Sequence, residues 1–401
     1  MKKEEMRSSD NASVSINKLL IFVIYTFPFI TLFNVGRITI QVETIVFIII
    51  FLNVVKDLLM RKLYVNTTPL RNKLALMAIY TIVILSIISF FYTSKYITSQ
   101  IKDITYWLLS LTPLVFIDKG RPQLEEYIST IMISSSIGVA ILLYLRTGIR
   151  GSGFISSANL AGSLFVLAFV IGLGHFFETK EKLFVVYMGV NLVGIIATGS
   201  REALMTLLIS IVSFLLISVL FSPKKFLKWV SYISIMSFIG VYILQKHFYE
   251  VLNRYLVTIE NLSSRDAGNV NFAFANRLTI WKELLGWSTQ HPFTPLGFQG
   301  LRAMDFYGHY SHNMFLQALI IGGLLGLIAF IIFLIKIFID SKIIMKNSKS
   351  PIAISFFSLL IAYLVTGLVS DHFLNFFTWN YVYFLLFREI EKEYKYISRI
   401  D

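Results

Sequence analysis

Four of the six histidines of this 401-residue chain, His247, His291, His309 and His312, fall in the stretch 246–311 or one residue past it. The same stretch holds six Lys and Arg residues and five carboxylates, so its net charge is only +1. Imidazole is the side chain that most readily gives or takes a proton near neutral pH. Guanidinium binds phosphate oxygens in a two-pronged contact. A polar stretch that gathers histidines and arginines is therefore where proton transfer and phosphate binding could sit.

Three places combine such groups with a helix start. In ATGSREALM, Ser200 is a candidate N-cap and leaves Arg201 in the first turn, where free backbone N–H groups and a guanidinium together suit a phosphate or pyrophosphate. The alternative is an interfacial arginine that reaches outward or pairs with Glu202. In FANRLTIW, Arg277 and Trp281 are one helical turn apart, which suits phosphate contact beside sugar stacking and equally suits an interfacial amphipathic helix. In HYSHNMFL, a cap at Ser311 would place His312 in the first helical turn, where the positive end of the dipole favours neutral imidazole, the form a general base needs. His309 is its competitor. No HExxH or HxxxH spacing is present and no cysteine occurs, so no metal site, disulfide or thiolate nucleophile is expected.

These groups need a scaffold, and composition says which. Mean hydropathy is +0.71 with 56% hydrophobic residues, beyond the soluble range. Twelve apolar runs recur at close to membrane-crossing length: Lys18–Phe33, Ile38–Val55, Leu74–Phe91, Ile104–Ile117, Tyr127–Leu145, Asn159–Phe177, Leu183–Thr198, Ala203–Phe221, Phe226–Gln245, Asn313–Ile339, Ile352–Val369 and Phe373–Phe387. The expected fold is all-α: one polytopic membrane domain over 1–401, about twelve spanning helices, and the long loop 246–311. The polar start MKKEEMRSSDNASVSINK precedes no small-residue cleavage site, so no removable signal peptide is expected.

With the N-terminus inside, 24 of the 36 Lys and Arg lie on the cytoplasmic side and 12 outside. The excess accounts for the net charge of +13 as orientation in a membrane, without a nucleic-acid partner. Both termini are then cytoplasmic and 246–311 faces outward. Within the loop, Phe248, Val251, Leu252, Tyr255, Leu256 and Ile259 recur at helical spacing and predict an amphipathic helix on the bilayer. A second helix is expected over Asn276–Ser288. Pro292, Pro295, Gly297 and Gly300 exclude regular structure beyond it.

Four segments, in order, resemble the O-antigen polymerase and O-antigen ligase superfamily of bacterial polysaccharide assembly. They are RGSGFISSANLA from Arg150, TGSREAL from Thr198, NRxxxW followed by HPFxxxGFxG, and HNMFL followed by GxxG, spanning about Arg150–Gly326. Glu202 departs from the pattern, which often has glycine there. The resemblance implies a metal-independent GT-C type glycosyltransferase in the plasma (inner) membrane, with an extracytoplasmic site and no cofactor. Its donor and acceptor would be undecaprenyl-pyrophosphate-linked oligosaccharides, with membrane lipids and a chain-length regulator as further partners. His312 would be the catalytic base. Arg201, Arg277, Arg150, Trp281, His309 and Asn313 would contact substrate. Polymerisation of O-antigen or capsule repeat units is the expected role. The alternatives are transfer of finished chains onto the lipid A core of lipopolysaccharide, and flipping of a polysaccharide unit.

Overall fold

Inside a bilayer every backbone N–H and C=O needs a protein partner, and an isolated apolar run meets that need only as helix. The computed structural model describes residues 15–26, 31–35, 38–60, 63–65, 70–118, 122–145, 157–221, 248–263, 277–303, 311–370 and 372–397, with scattered positions between 230 and 271. Helix occurs within every expected apolar segment, although Phe226–Gln245 lies largely outside the described residues.

The first helices are α1 (Ser15–Thr26), α2 (Val42–Leu59), α3 (Leu70–Ile88), α4 (Ile97–Ser110) and α5 (Thr112–Val115). They are followed by α6 (Leu124–Leu145), α7 (Ala158–Thr179), α8 (Leu183–Ala197) and α9 (Arg201–Phe221). From the long loop come α10 (Tyr249–Ser263), α11 (Arg277–Gln290) and α12 (Gly300–Ala303). The chain closes with α13 (Met314–Ser348), α14 (Pro351–Thr366), α15 (His372–Asn375) and α16 (Phe377–Ile397).

Among the described residues, five helices are long and apolar enough to cross a membrane: Lys73–Phe91, Leu124–Leu145, Ala158–Thr179, Arg201–Phe221 and Met314–Ser348. Three shorter apolar helices, Ser15–Thr26, Leu183–Ala197 and Pro351–Thr366, accompany them. The chain is a multi-pass helical membrane protein, and about twelve crossings remain an expectation. It is not purely α. Thr31–Val35 pairs antiparallel with Ile38–Gln41, and Leu63–Val65 with Phe116–Asp118. These short ladders lie at the edges of the apolar runs, the second joining strands about 50 residues apart in the chain.

The core is centred on α7, apolar on all sides and buried along its length, as a helix without a polar face must be. Neighbours α6, α8, α9 and α14 surround it, and α14 packs most extensively on α9. Ser157 caps α7, its hydroxyl accepting from Leu160 N at 3.3 Å.

The sequence predicts one uninterrupted span from Asn313 to Ile339, and here the structure differs. Gly322 (φ −134, ψ 16) and Gly323 (φ 61, ψ −160) break α13. A Cβ added to Gly326 would lie 3.0 Å from the Ala318 carbonyl oxygen. In a straight helix residues eight apart are separated by about 12 Å. The chain therefore folds back at the two glycines. The part from Leu324 to Ser348, about 37 Å long at helical rise, is itself sufficient to cross a core of about 30 Å. Other backbone replaces the lost helical bonds: Leu296 N and Gly297 N donate to the Ile320 and Ile321 carbonyls, each at 3.0 Å, and Leu324 N donates to Pro292 O at 2.7 Å. The Pro/Gly segment of the loop is thus docked into the break.

The loop helices follow expectation in place and only partly in face. α10 buries Phe248 and Val251 but leaves Leu256 and Ile259 more than half exposed. α11 buries Leu284 with Leu296, Leu301 and Ile320, while Leu285 is exposed.

Candidate active site

Ser200 is the cap the sequence suggests: its hydroxyl accepts from Ala203 N at 3.2 Å and donates to Asn159 Oδ1 at 2.9 Å. Asn159, from the start of α7, also donates through Nδ2 to Glu202 Oε2 at 3.0 Å. Glu202 is only 6% exposed, so the departure from glycine is absorbed by a partner on α7. Arg201, on the adjacent face of the same turn, is half-buried and donates to Thr258 Oγ1 of α10 at 3.0 Å. A residue of the long loop therefore orients the arginine of a core helix.

Arg277 opens α11 and donates from its guanidinium to the Val369 carbonyl, in the turn after α14. One turn later, Trp281 Nε1 donates to the Ser311 carbonyl at 2.8 Å. The pair shares a helix face, as the spacing predicts, and clamps two separate connections.

The expected cap at Ser311 is corrected: Asn313 holds that position. Its Oδ1 accepts from Phe315 N at 2.9 Å and Leu316 N at 3.0 Å, the two donors that an N-cap satisfies. Its Nδ2 donates to the Leu368 carbonyl at 2.9 Å. Ser311, fully buried, bonds instead around the turn, donating to Asn313 O at 2.8 Å and accepting from Asn313 N at 3.3 Å. His312 is left outside the first helical turn, half-buried, with a left-handed backbone at φ 51. That conformation is uncommon for a residue with a Cβ and is tolerated where neighbours fix it. Here the Ser311 peptide is held on both sides, by Trp281 on its carbonyl and by Gln317 Oε1 on its N–H at 3.4 Å.

The turn after α14 joins these parts. Gly367 O accepts from Met314 N at 2.9 Å, Leu368 O from Asn313 and Val369 O from Arg277. Thr366 Oγ1, at the end of α14, accepts from Thr206 Oγ1 of α9 at 3.1 Å. Residues from all four sequence segments are thus linked: Asn159 to Ser200 and Glu202, Arg277 and Trp281 to the connections flanking His312, and the 292–297 turn to the break in α13. Arg150 and His309 lie outside the described residues. Thr258 and the 366–369 turn are not named by the sequence reading, since a lone threonine and backbone carbonyls carry no spacing signal. Asn159 is visible in it only as one letter of a quoted segment.

The turn is itself pinned. Gly297 has φ +72 and faces Gln100 of α4, whose Nε2 donates to Leu296 O at 3.3 Å and to Thr93, while Oε1 accepts from Ser89 Oγ at 3.2 Å. Phe298 then packs between Trp107, with ring centroids 5.9 Å apart, and Phe377 at 6.4 Å.

No curated protein matches the chain. Residues 183–331 match the family described as O-Antigen ligase, a stretch that contains Arg201, Arg277, Trp281, His309, His312 and Asn313 and leaves out Arg150. With its helices, its long loop and these residues in that order, this match over a little more than a third of the chain supports membership of the O-antigen polymerase and ligase superfamily.

Proposed function

We propose that the chain is a polymerase that joins undecaprenyl-pyrophosphate-linked oligosaccharide repeat units, of O-antigen or capsular type, at the outer face of the plasma membrane. What supports an active site here is that Arg277 and Asn313 both bond to the turn after α14 while Trp281 bonds to Ser311, the neighbour of His312, with α9, which carries Arg201, joined to the end of α14 through Thr206. Arg201 and Arg277 hold the diphosphate of the donor, and Arg150 and His309 are proposed as further substrate contacts. Trp281 offers its ring to a sugar, and Asn313 serves first as the cap that fixes the turn. An acceptor hydroxyl attacks the anomeric carbon and gives its proton to His312. The bond to the diphosphate breaks, and lipid diphosphate leaves with the electron pair, its charge stabilised by guanidinium groups. Such a reaction uses neither nucleotide sugar nor metal ion.

The test is polymerisation of purified lipid-linked repeat units in the presence of EDTA. His312→Ala lowers turnover roughly 10²–10⁴-fold, the usual contribution of a general base, with donor binding almost unchanged. Near-normal turnover of His312→Gln, or a larger loss at His309 than at His312, removes His312 as the base. Arg201→Ala and Arg277→Ala each abolish polymer, and Lys restores it only in part because ammonium lacks the two-pronged contact. Surface glycan from a deletion strain separates the alternatives: single repeat units for a lost polymerase, no surface chains for a lost ligase, and inward-facing lipid intermediates for a lost flippase.

A further inference from the structure

The same docking that seats the Pro/Gly turn builds a second polar cluster, away from Arg201 and Arg277. α12 brings Arg302 over the ring of Tyr96, with the guanidinium carbon 5.3 Å from the ring centre, and Lys95 Nζ lies 5.5 Å from the same centre. On the first turns of α4, Lys102 Nζ is 5.7 Å from the Tyr106 ring centre and 3.9 Å from Asp103 Oδ1. Asp103 Oδ2 accepts from Gln299 Nε2, so the turn and α4 are joined through the carboxylate. Lys95, Lys102 and Arg302 are exposed, whereas the Asp103 side chain is only 14% exposed. Among the described residues the one ion-pair contact in this cluster is Lys102 to Asp103. In the segments that supply the cluster, Phe91 and Tyr92 just before Lys95, and Phe293 in the docked turn, are 88%, 59% and 64% exposed.

Lys102 beside the carboxylate, with Arg302 and Lys95 on the ring of Tyr96, leaves the cluster net positive, which suits an anion of more than one charge. Cations held over aromatic faces keep a defined direction. The inward carboxylate accepts hydrogen bonds from hydroxyls. The exposed aromatic rim suits an apolar chain. A ligand meeting all three conditions has a phosphate group, neighbouring hydroxyls and a lipid tail. Such a cluster assembles only when 292–303 is docked, because Arg302 and Gln299 come from the long loop while Tyr96, Lys102 and Asp103 come from the α3–α4 region.

We infer that this cluster is a second binding site, for the diphosphate and first sugar of the lipid-linked acceptor. The inference rests on the proposed polymerase reading, in which both substrates carry a lipid diphosphate and the chain must hold two at once. Lys102 and Arg302 bind the phosphates, and Asp103 accepts a hydrogen bond from a sugar hydroxyl. The first cluster holds the leaving diphosphate, and this one holds the diphosphate that is retained.

The test counts bound lipid. The full chain in phosphatidylcholine nanodiscs is titrated with undecaprenyl pyrophosphate and read by native mass spectrometry. The expected result is two equivalents for the native chain and one for the double variant Lys102→Ala/Arg302→Gln, whose changes are at exposed side chains and leave the core intact. Arg201→Ala/Arg277→Ala also keeps one, and the combined variant none. One equivalent on the native chain, or two retained by Lys102→Ala/Arg302→Gln, overturns the inference. Phosphatidylglycerol at tenfold excess leaves the second equivalent in place; its complete displacement would reduce the cluster to a general anionic-lipid contact and overturn the inference too. If Arg201→Ala/Arg277→Ala keeps both equivalents, the donor-site assignment fails while the second site stands. Asp103→Asn keeps undecaprenyl pyrophosphate binding within about twofold but raises the KM for acceptor repeat units about tenfold or more; an unchanged KM removes Asp103 from the site.

Discussion

Gly297→Ala is the substitution for which the structure gives the most detailed account. At φ +72 an alanine adopts a left-handed backbone at a cost of about 1–2 kcal/mol. Its Cβ would lie 1.8 Å from Gln100 Oε1, 2.7 Å from Gln100 Cδ and 2.3 Å from Ser89 Oγ. No contact of this kind is tolerable, so the Gln100 amide must move. Moving it gives up its bonds with Ser89, Thr93 and Leu296, each about 1 kcal/mol net for a buried amide. The total is about 3–5 kcal/mol, at the upper end of single-substitution effects. Gln100→Ala alone forfeits the bonds and keeps the backbone favourable. In the double variant the clash with Gln100 is gone and only that with the rotatable Ser89 hydroxyl remains, so its destabilisation falls short of the sum of the two singles by about 1–3 kcal/mol, as for contacting residues generally. The measurement is unfolding by SDS in mixed micelles for the four members of the cycle. Additivity within about 0.5 kcal/mol would refute the account, because the Gln100 amide would then not be what Gly297 accommodates.

At Asn313, Ala removes a cap worth about 1 kcal/mol and the donor to Leu368; protection from hydrogen exchange at Phe315 and Leu316 falls about 5–30-fold. Asn313→Asp keeps the cap and restores most of that protection, and equal exchange in Ala and Asp variants would contradict the capping geometry. Asp103 lies just before the apolar part of α4, and burial raises its carboxyl above the usual 3.8 against the opposing effects of Lys102, Gln299 and Arg302. The folded chain therefore holds a proton that the unfolded chain has released, and stability falls as pH rises from 3.8 through the raised value. The difference between native and Asp103→Asn stability traces that fall; a flat difference across acid pH refutes it. Reporter fusions at Lys225 and Asn347 read cytoplasmic and one at Gly268 external, and a cytoplasmic signal at Gly268 would place the site in the wrong compartment.

Periodicity and charge were enough for the class of fold, since apolar runs of this length form helix in lipid whatever surrounds them. They also located α10 and α11, and the residue type and position of Ser200 marked it as a cap. Residue types alone nominated Arg201, Arg277, Trp281 and His312. Ser311 and Asn313 are equally good caps by composition; the choice fell to Asn313 because Leu368, 55 residues away, accepts its amide. The GG of α13 reads locally as an apolar helix. Only the docked Leu296–Gly297 backbone, which accepts the role of the missing helical partners, makes the fold-back affordable. Likewise, nothing in the letters K95, K102, D103 and R302 joins them. Their grouping is a property of loop docking, and docking depends on contacts between residues about 200 apart, which no local pattern encodes.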